Sequence, residues 1–314
     1  MTEQNQEAEN WRGILWAMLS VIGASAMAIS VRGASLGLDT RLLVGYRLFF
    51  TLILIGILIL IVPRLRSKVH FKQPRAHLIR GILMAFSVHL GFYTLSIVPL
   101  AAAAILFATA PIFATIISVA MGRETIGIRR TLAILIGLYQ QVKDLVKGSN
   151  KDVNYLVGFI GTIIVMRPSS EIIDTNMIYG IGSSIFFSFS LVMSRNLART
   201  DGPLSTLIST SAIGLIVTIP LAAPVFEITT DTNIILWTLV LIIFGILRQY
   251  SDIQAYTYAQ AAVIAPISYF RVVLIGLMAY LFFNEIPVVT TYIGATIIIA
   301  ATIYITNRER LAKN

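Results

Sequence analysis

Charged side chains interrupt an otherwise apolar stretch between residues 247 and 285, at Arg248, Asp252 and Arg271. A charge inside a membrane costs about 2.5 kcal/mol or more, so such groups normally face a partner or a wet cavity. Arg248 and Asp252 are four residues apart, which places them on one face of a helix. Arg248 is suited to receive an anionic group such as a carboxylate, with Asp252 as a gate or protonatable group. The alternative is a permanent structural ion pair that neutralises itself.

Arg271 and two further polar residues, Arg47 and His89, lie within apolar runs. Arg271 is more than a turn from the end of its run, so we expect it to reach a cavity, an acidic partner or free carbonyl groups. Arg47 is suited either to line a path or to snorkel to the membrane interface. His89 is suited either to exchange protons near neutral pH or to act as a neutral hydrogen-bonding partner between helices.

Tyrosines and two glutamates complete the set of candidate residues. Tyr93, Tyr256 and Tyr269 would give a binding site apolar walls with polar tips. Tyrosines near helix ends also act as anchors at the membrane interface, and both alternatives stay open. Glu124 and Glu285 each end an apolar run, where each is expected to cap the following helix or bind a neighbouring arginine.

The composition of the chain places these residues in a membrane. Of the 314 residues, 57% are hydrophobic and only 12% are charged, which excludes a soluble globule with a polar shell. The apolar runs are about 20 residues long, so the spans are predicted to be helical. The net charge of +9 lies in short loops and does not indicate a nucleic-acid partner.

Several catalytic signatures are missing from the sequence. It contains no phosphate-binding GxxxxGK[ST] loop, no HExxH motif and no GxSxG elbow. It also contains no cysteine, which excludes disulfides and thiolate metal sites. We therefore predict neither a cofactor, a metal site nor a catalytic residue.

The apolar runs predict an all-α membrane protein with ten transmembrane helices. The predicted spans are 12–31, 42–62, 79–97, 101–121, an interrupted fifth, 177–195, 204–223, 233–255, 261–283 and 287–306. Only a few residues, near Pro99 and Ala259, join the third span to the fourth and the eighth to the ninth. These two pairs are predicted to form tight helical hairpins.

Positive charge is concentrated in alternate loops. The loops after the second, fourth and sixth spans and the C-terminal tail carry most of the loop Lys and Arg, whereas the opposite loops carry Arg32, Arg41 and Arg167. Because Lys and Arg close to a span are retained in the cytoplasm, both termini are predicted to be cytoplasmic. Residues 1–10 and 307–314 are then cytoplasmic tails.

The two halves of the chain, 11–168 and 177–306, share an outline. His89 and Asp252 each lie four residues before a tyrosine, and Glu124 and Glu285 each end the following apolar helix. Five crossings per half reverse the direction of the second half, which gives the inverted repeat common in secondary transporters. A ligand site is then expected near the membrane midplane, where the halves meet.

The predicted fifth span is interrupted. Apolar pieces at 129–137 and 158–168 are separated by the polar segment 138–157, which carries too many unpaired charges for hydrocarbon. The segment is interpreted as an insertion, whose first part has the spacing of a short interfacial helix.

Three apolar runs carry a family resemblance together with the five-plus-five pattern. They are LFATAPIFATIISVAMGRE, PISYFRVVLIGLMAYLFFNE and GFIGTIIVMRP. In this combination the chain resembles the EamA family of the drug/metabolite transporter superfamily. The resemblance extends from about residue 11 to residue 306. Two segments, RGILMAFSVHLGFYTLSIVPLAAAA and APISYFRVVLIGLMAYLFFNE, are similar in particular to family members that take up S-adenosylmethionine. The polar segment 138–157 departs from the family pattern.

The resemblance implies a multi-pass carrier in a bacterial cytoplasmic membrane that moves a small organic metabolite by alternating access. S-adenosylmethionine and amino-acid-like solutes are the candidate substrates, with coupling to protons or to a counter-substrate. Arg248 and Arg271 would recognise negative charge, and Asp252 and His89 would be the coupling or gating groups. The alternatives are an integral-membrane enzyme that modifies lipids and a non-transporting channel or scaffold.

Overall fold

The computed structural model describes residues 3–110, 113–114, 117, 176–259, 261–286 and 296. Within these ranges the chain forms helices and no β-strand. The α-helices are α1 (Glu3–Ala34), α2 (Thr40–Ile61), α3 (Pro63–Arg66), α4 (Pro74–Ile97), α5 (Leu100–Ala108), α6 (Met177–Thr200), α7 (Gly202–Ala222), α8 (Thr232–Tyr258) and α9 (Ala261–Phe283). A short 3-10 helix, Ala223–Val225, follows α7.

Six helices in the described part of the chain are long and apolar enough to cross a membrane. They are Trp11–Ala34, Thr40–Ile61, Pro74–Ile97, Met177–Thr200, Gly202–Val225 and Thr232–Tyr258. In addition, α9 covers the predicted ninth span, and its shorter apolar part is Phe270–Phe283. The predicted fifth span with its polar segment 138–157, part of the fourth and nearly all of the tenth lie outside the described residues. The helical membrane architecture is therefore confirmed, and the count of ten stays a prediction.

Capping residues fix where several helices begin. The carboxylate of Asp39 accepts a hydrogen bond from the backbone N–H of Arg41 at 2.8 Å at the start of α2. Asp231 accepts one from Asn233 at 2.8 Å at the start of α8. Each bond satisfies a backbone donor that the helix itself leaves free. Pro74 occupies the first turn of α4, so this helix begins five residues before the predicted span at 79.

Two short links connect α4 to α5 and α8 to α9. Val98 and Ala259 have extended backbone, with ψ of 141° and 160°, so each link needs only two residues. The predicted shortness of the links is confirmed. The prediction of a tight hairpin is wrong for α8 and α9, which pack mainly against α1, whereas for α4 and α5 it stays a prediction because part of the fourth span lies outside the described residues. Beyond its link, α4 packs against α6 and α7, and α5 packs against α9 and α6. The extended residues redirect the chain towards helices of the other half.

The two halves of the chain interdigitate. α1 packs along α8 and α9, and α2 packs along α7 and α8. Glycines allow α1 to approach α8 closely. A Cβ at Gly13 would clash with the Cβ of Ala259, and one at Gly23 would lie 3.0 Å from the backbone nitrogen of Arg248. Small residues at helix interfaces permit such contacts in membranes. The close approach holds the middle of α8 against α1, where the site described next lies.

Candidate functional site

A cavity lies between the helices of the two halves, with walls from α1, α4, α5, α6, α8 and α9. Its volume is about 50 Å³. Arg248 and Arg271 bring charge to the walls, and three serines, Ser87, Ser183 and Ser184, bring hydroxyl groups. The remaining lining is apolar and includes three phenylalanines and two methionines. A mostly apolar cavity with a few convergent polar groups is typical of a small-molecule site.

Arg248 presents its guanidinium group to this cavity with loose protein contacts. Its Nε lies 3.7 Å from Asp252 Oδ2, and this Nε has no hydrogen-bond partner among the described residues. Its Nη1 lies 4.0 Å from the sulfur of Met27, and its Cζ lies 5.4 Å from the ring centroid of Phe187. A thioether and an aromatic face are weak partners for a cation. The guanidinium therefore has donor capacity left for an anionic group in the cavity.

Asp252 lies one helical turn from Arg248 and lines a smaller, adjoining cavity. Its Oδ1 accepts a hydrogen bond from the hydroxyl of Ser20 on α1. Met84 and Phe187 line both cavities, so these two side chains form the boundary between them. The acid is thus next to the larger cavity without lining it.

Arg80 lines the smaller cavity and is missing from the residues that the sequence singled out. Its Nε donates to the Ser194 hydroxyl at 2.7 Å, and its Nη1 donates to the Thr210 hydroxyl and to the Thr206 carbonyl oxygen at 3.3 Å. Only 3% of the residue is exposed. Because α4 begins at Pro74, Arg80 lies two turns inside the helix. That early proline was the signal that could have identified it.

Arg47 is buried against α8 and does not line the larger cavity. Its Nη2 donates to Gln249 Oε1 at 2.8 Å and to the carbonyl oxygen of Gly245 at 3.4 Å. Its Cζ lies 5.8 Å from the ring centroid of Phe92, which does line the cavity. With 1% of the residue exposed, Arg47 does not snorkel to the interface. A direct role in binding stays a prediction.

The remaining candidate residues do not line the larger cavity, or their side chains lie outside the described part of the chain. His89 bonds through Nε2 to the hydroxyl of Thr218 at 2.9 Å, which agrees with the second of its two predicted roles, that of a hydrogen-bonding partner between helices. The ring of Tyr93 is half-exposed and packs edge-on against Tyr179 at 5.0 Å. Tyr256 is buried in a cluster with Ala17 and Leu191. The side chain of Tyr269 lies outside the described residues.

Positive charge predominates in the described interior of the helix bundle. Four arginines, Arg47, Arg80, Arg248 and Arg271, lie there, whereas the carboxylates are Asp252 and, near one end of the bundle, Asp201. Such an excess attracts anions and raises their local concentration. The described residues contain no group of three metal-ligating side chains. The arrangement is suited to holding an anionic group of an organic molecule.

The chain matches a family model twice along its length. The model of the EamA-like transporter family matches residues 11–139 and residues 175–307. Residues 140–174, which contain most of the polar segment 138–157, fall between the two matches. A solved crystal structure of a protein covers 96% of this chain and 99% of its own with a TM-score of 0.62 at 18% identity, which shows a shared fold.

Several relatives are named as transporters. An S-adenosylmethionine uptake transporter of Rickettsia bellii is 26% identical over 300 residues, 96% of this chain and 95% of the relative. A riboflavin transporter of Vibrio cholerae is 25% identical over 251 residues, 78% of this chain and 76% of the relative. A pseudopaline exporter of Pseudomonas aeruginosa is 24% identical over 303 residues, 95% of this chain and 97% of the relative.

Proposed function

Because the chain belongs to the EamA-like transporter family, we propose that it is a secondary transporter that moves a small organic metabolite by alternating access. The observation that carries the proposal is the cavity between the two halves, into which Arg248 and Arg271 bring positive charge. A site at the meeting of two halves can be exposed first to one side of the membrane and then to the other.

The substrate in this proposal carries a carboxylate. Arg248 and Arg271 bind that group, because guanidinium groups match the geometry of carboxylates. Asp252, one turn away, is available for a cationic group on the same molecule. S-adenosylmethionine has a carboxylate together with ammonium and sulfonium cations, so it is the first candidate, followed by amino-acid-like solutes. The name of the Rickettsia relative supports this choice.

Coupling in this proposal depends on Asp252. A substrate carboxylate at Arg248 would replace the attraction between Arg248 and Asp252, and the freed acid would then accept a proton or a cationic group. His89 has a structural role, because it bonds to Thr218 away from the cavity. The tyrosines at 93 and 256 likewise belong to the packing around the site.

The proposed topology has two inverted repeats, 11–168 and 177–306, with five spans each. Both termini lie in the cytoplasm and the protein resides in a bacterial inner membrane. The loop charges support this orientation, because the loop between α2 and α4 carries Arg64, Arg66, Lys68, Lys72 and Arg75. The relatives named above come from bacteria, which supports the location.

A thermal-shift screen tests the proposal. A ligand that binds only the folded state raises the melting temperature of purified protein, so the screen includes S-adenosylmethionine, amino acids, purine compounds and riboflavin. We expect a stabilising ligand with a carboxylate, and Arg271→Ala should abolish its effect. Arg41→Ala is the matched control, because Arg41 lies at the surface and pairs with Asp39 away from the cavity. A ligand shift that persists in Arg271→Ala would contradict the proposed site.

A further inference from the structure

Arg32, near the end of α1, joins three segments at one end of the bundle. Its Nη2 donates to Glu285 Oε1 at 2.8 Å and to the carbonyl oxygen of Val98 at 3.0 Å, and its Nη1 donates to the carbonyl oxygen of Ser96 at 2.5 Å. Glu285, just after α9, also accepts from the backbone N–H of Leu100 at 2.8 Å. The predicted binding of Glu285 to an arginine is confirmed, and the helix it caps is α5. These contacts are called the Arg32 cluster below.

A second cluster joins α4 to the turn between α6 and α7. His77 Nε2 lies 2.9 Å from Asp201 Oδ2, and His77 Nδ1 lies 2.6 Å from the hydroxyl of Ser209. The same Asp201 oxygen accepts from the backbone N–H of Gln73 at 3.2 Å. Both ionisable side chains are buried, with 3% of His77 and none of Asp201 exposed. These contacts are called the His77 cluster below.

The two clusters lie at opposite ends of the membrane-spanning bundle. Helix α4 contributes His77 to one and the carbonyl of Ser96 to the other. At 1.5 Å per residue these positions are about 28 Å apart along the helix, close to the thickness of a hydrocarbon core. Met84, Ser87 and other cavity-lining residues of α4 lie between them. The substrate cavity is therefore placed between the two clusters.

Both clusters connect the two halves of the chain. The Arg32 cluster ties α1 and the α4–α5 link to the end of α9, and the His77 cluster ties α4 to α6 and α7. Opening the cavity towards either end requires the halves to separate at that end. Because a buried or half-buried set of hydrogen bonds between side chains resists separation and yet has two discrete states, formed and broken, it suits a gate.

We propose that the Arg32 cluster and the His77 cluster are the two gates of alternating access, each closing one end of the central cavity. The inference rests on the proposed transport function and identifies the residues that open and close each end of the cavity. Both gates are closed in the present structure, which agrees with the small space left in the cavity. Breaking one cluster should open its own end and leave the other end shut.

An ion pair that does not connect the halves provides the control. Arg41 Nη2 lies 2.8 Å from Asp39 Oδ2, and both residues belong to the start of α2. This pair lies at the same end of the bundle as the Arg32 cluster, because α2 begins shortly after α1 ends. Arg41→Ala removes a similar charge–charge contact without releasing one half from the other.

Cysteine accessibility measures the opening of each end. The chain has no cysteine, so Ser183→Cys places a single thiol on the cavity wall. Its reaction rate with a membrane-impermeant thiosulfonate is measured in right-side-out and in inverted vesicles. The background protein is compared with Arg32→Ala and Glu285→Gln for one gate and with His77→Ala and Asp201→Asn for the other. Two variants per gate keep the test decisive if one of them fails to fold.

We expect each gate variant to raise the labelling rate about tenfold from its own side only, a shift typical of coupled conformational changes. Arg41→Ala should leave both rates unchanged. Equal increases from both sides would show general loosening and overturn the gates, as would unchanged rates in all four variants. Labelling needs no substrate, so it is independent of the choice of metabolite. If the protein transports a metabolite but the gate variants do not change the labelling rate, the assignment of the gates is overturned and the proposed transport function stands.

Discussion

Arg248→Gln is expected to reduce ligand affinity far more than it reduces the stability of the fold. The guanidinium lies 3.7 Å from Asp252 and also contacts a methionine sulfur and a phenylalanine ring. Its loss leaves Asp252 with the hydrogen bond from Ser20. The side chains of Arg248 and Asp252 are 13% and 24% exposed, so water in the cavity partly screens the pair.

The two magnitudes follow from this geometry. A charge pair at about 4 Å attracts by about 4 kcal/mol at an effective dielectric constant of about 20, and the desolvation of both groups offsets much of that. We therefore expect a net contribution to folding stability of about 1 kcal/mol, above the value for an exposed pair one helical turn apart. A hydrogen bond from a charged group to a ligand contributes about 1.5–3 kcal/mol, which corresponds to a loss of roughly 10- to 150-fold in affinity.

The assay combines ligand titration with a double-mutant cycle. The dissociation constant of the ligand found in the thermal-shift screen is measured for the wild type, Arg248→Gln and the control Arg41→Gln. Stabilities are measured for Arg248→Gln, Asp252→Asn and the double variant, which isolates the energy between the two residues. A pair energy of about 3 kcal/mol with unchanged ligand affinity would refute the reasoning, because buried structural ion pairs behave in that way.

Three further predictions concern packing, pH and topology. Gly13→Ala should lower the melting temperature, because its new methyl group overpacks α1 against α8 at a cost of about 1–3 kcal/mol. Gly56→Ala is the control and should be neutral or stabilising, because its new Cβ meets nothing within 4 Å. Equal changes in the melting temperature of the two variants would contradict the close packing of α1 against α8. Burial raises the pKa of Asp201, but hydrogen bonds from His77 and from backbone amides outweigh it and hold the pKa below its usual 3.8. The ionised Asp201 carboxylate therefore stabilises the folded protein above about pH 3.8, and this contribution is lost as the pH falls through the pKa of Asp201 in the folded protein. The melting temperature of the wild type should drop more steeply than that of Asp201→Asn between about pH 5 and about pH 3. Parallel curves of melting temperature against pH would contradict this prediction. A reporter fused after Arg75 should be cytoplasmic, and periplasmic activity there would overturn the orientation.

The sequence predicted the helical membrane architecture because hydropathy over a full span depends on local composition alone. For Arg248 and Arg271 it predicted either a polar partner or a cavity, since a charge in the middle of an apolar helix has few alternatives, and both residues line the cavity. The start of α4 was placed five residues too late, because the prediction followed apolar residues and ignored Pro74. Arg80 was missed for that reason.

Which residues share a surface could not be read from the sequence. His89 and Asp252 occupy similar positions in the two halves, yet His89 bonds to Thr218 while Asp252 lies beside a cavity. The direction of a side chain within a span depends on how each helix rotates against its neighbours, and hydropathy carries no information on that rotation. The hydrogen bonds of the Arg32 and His77 clusters join residues far apart in sequence, so they appear only once the helices are packed.

Counterflow in proteoliposomes tests most directly whether the chain transports by alternating access. Vesicles are loaded with unlabelled S-adenosylmethionine, or with another ligand from the thermal-shift screen, and the entry of the labelled compound is followed. An alternating-access carrier should show saturable uptake that is accelerated by unlabelled substrate on the inside, and Arg248→Gln should weaken it while Arg41→Gln should not. Uptake that does not saturate and is indifferent to internal substrate would indicate a channel and contradict the central claim.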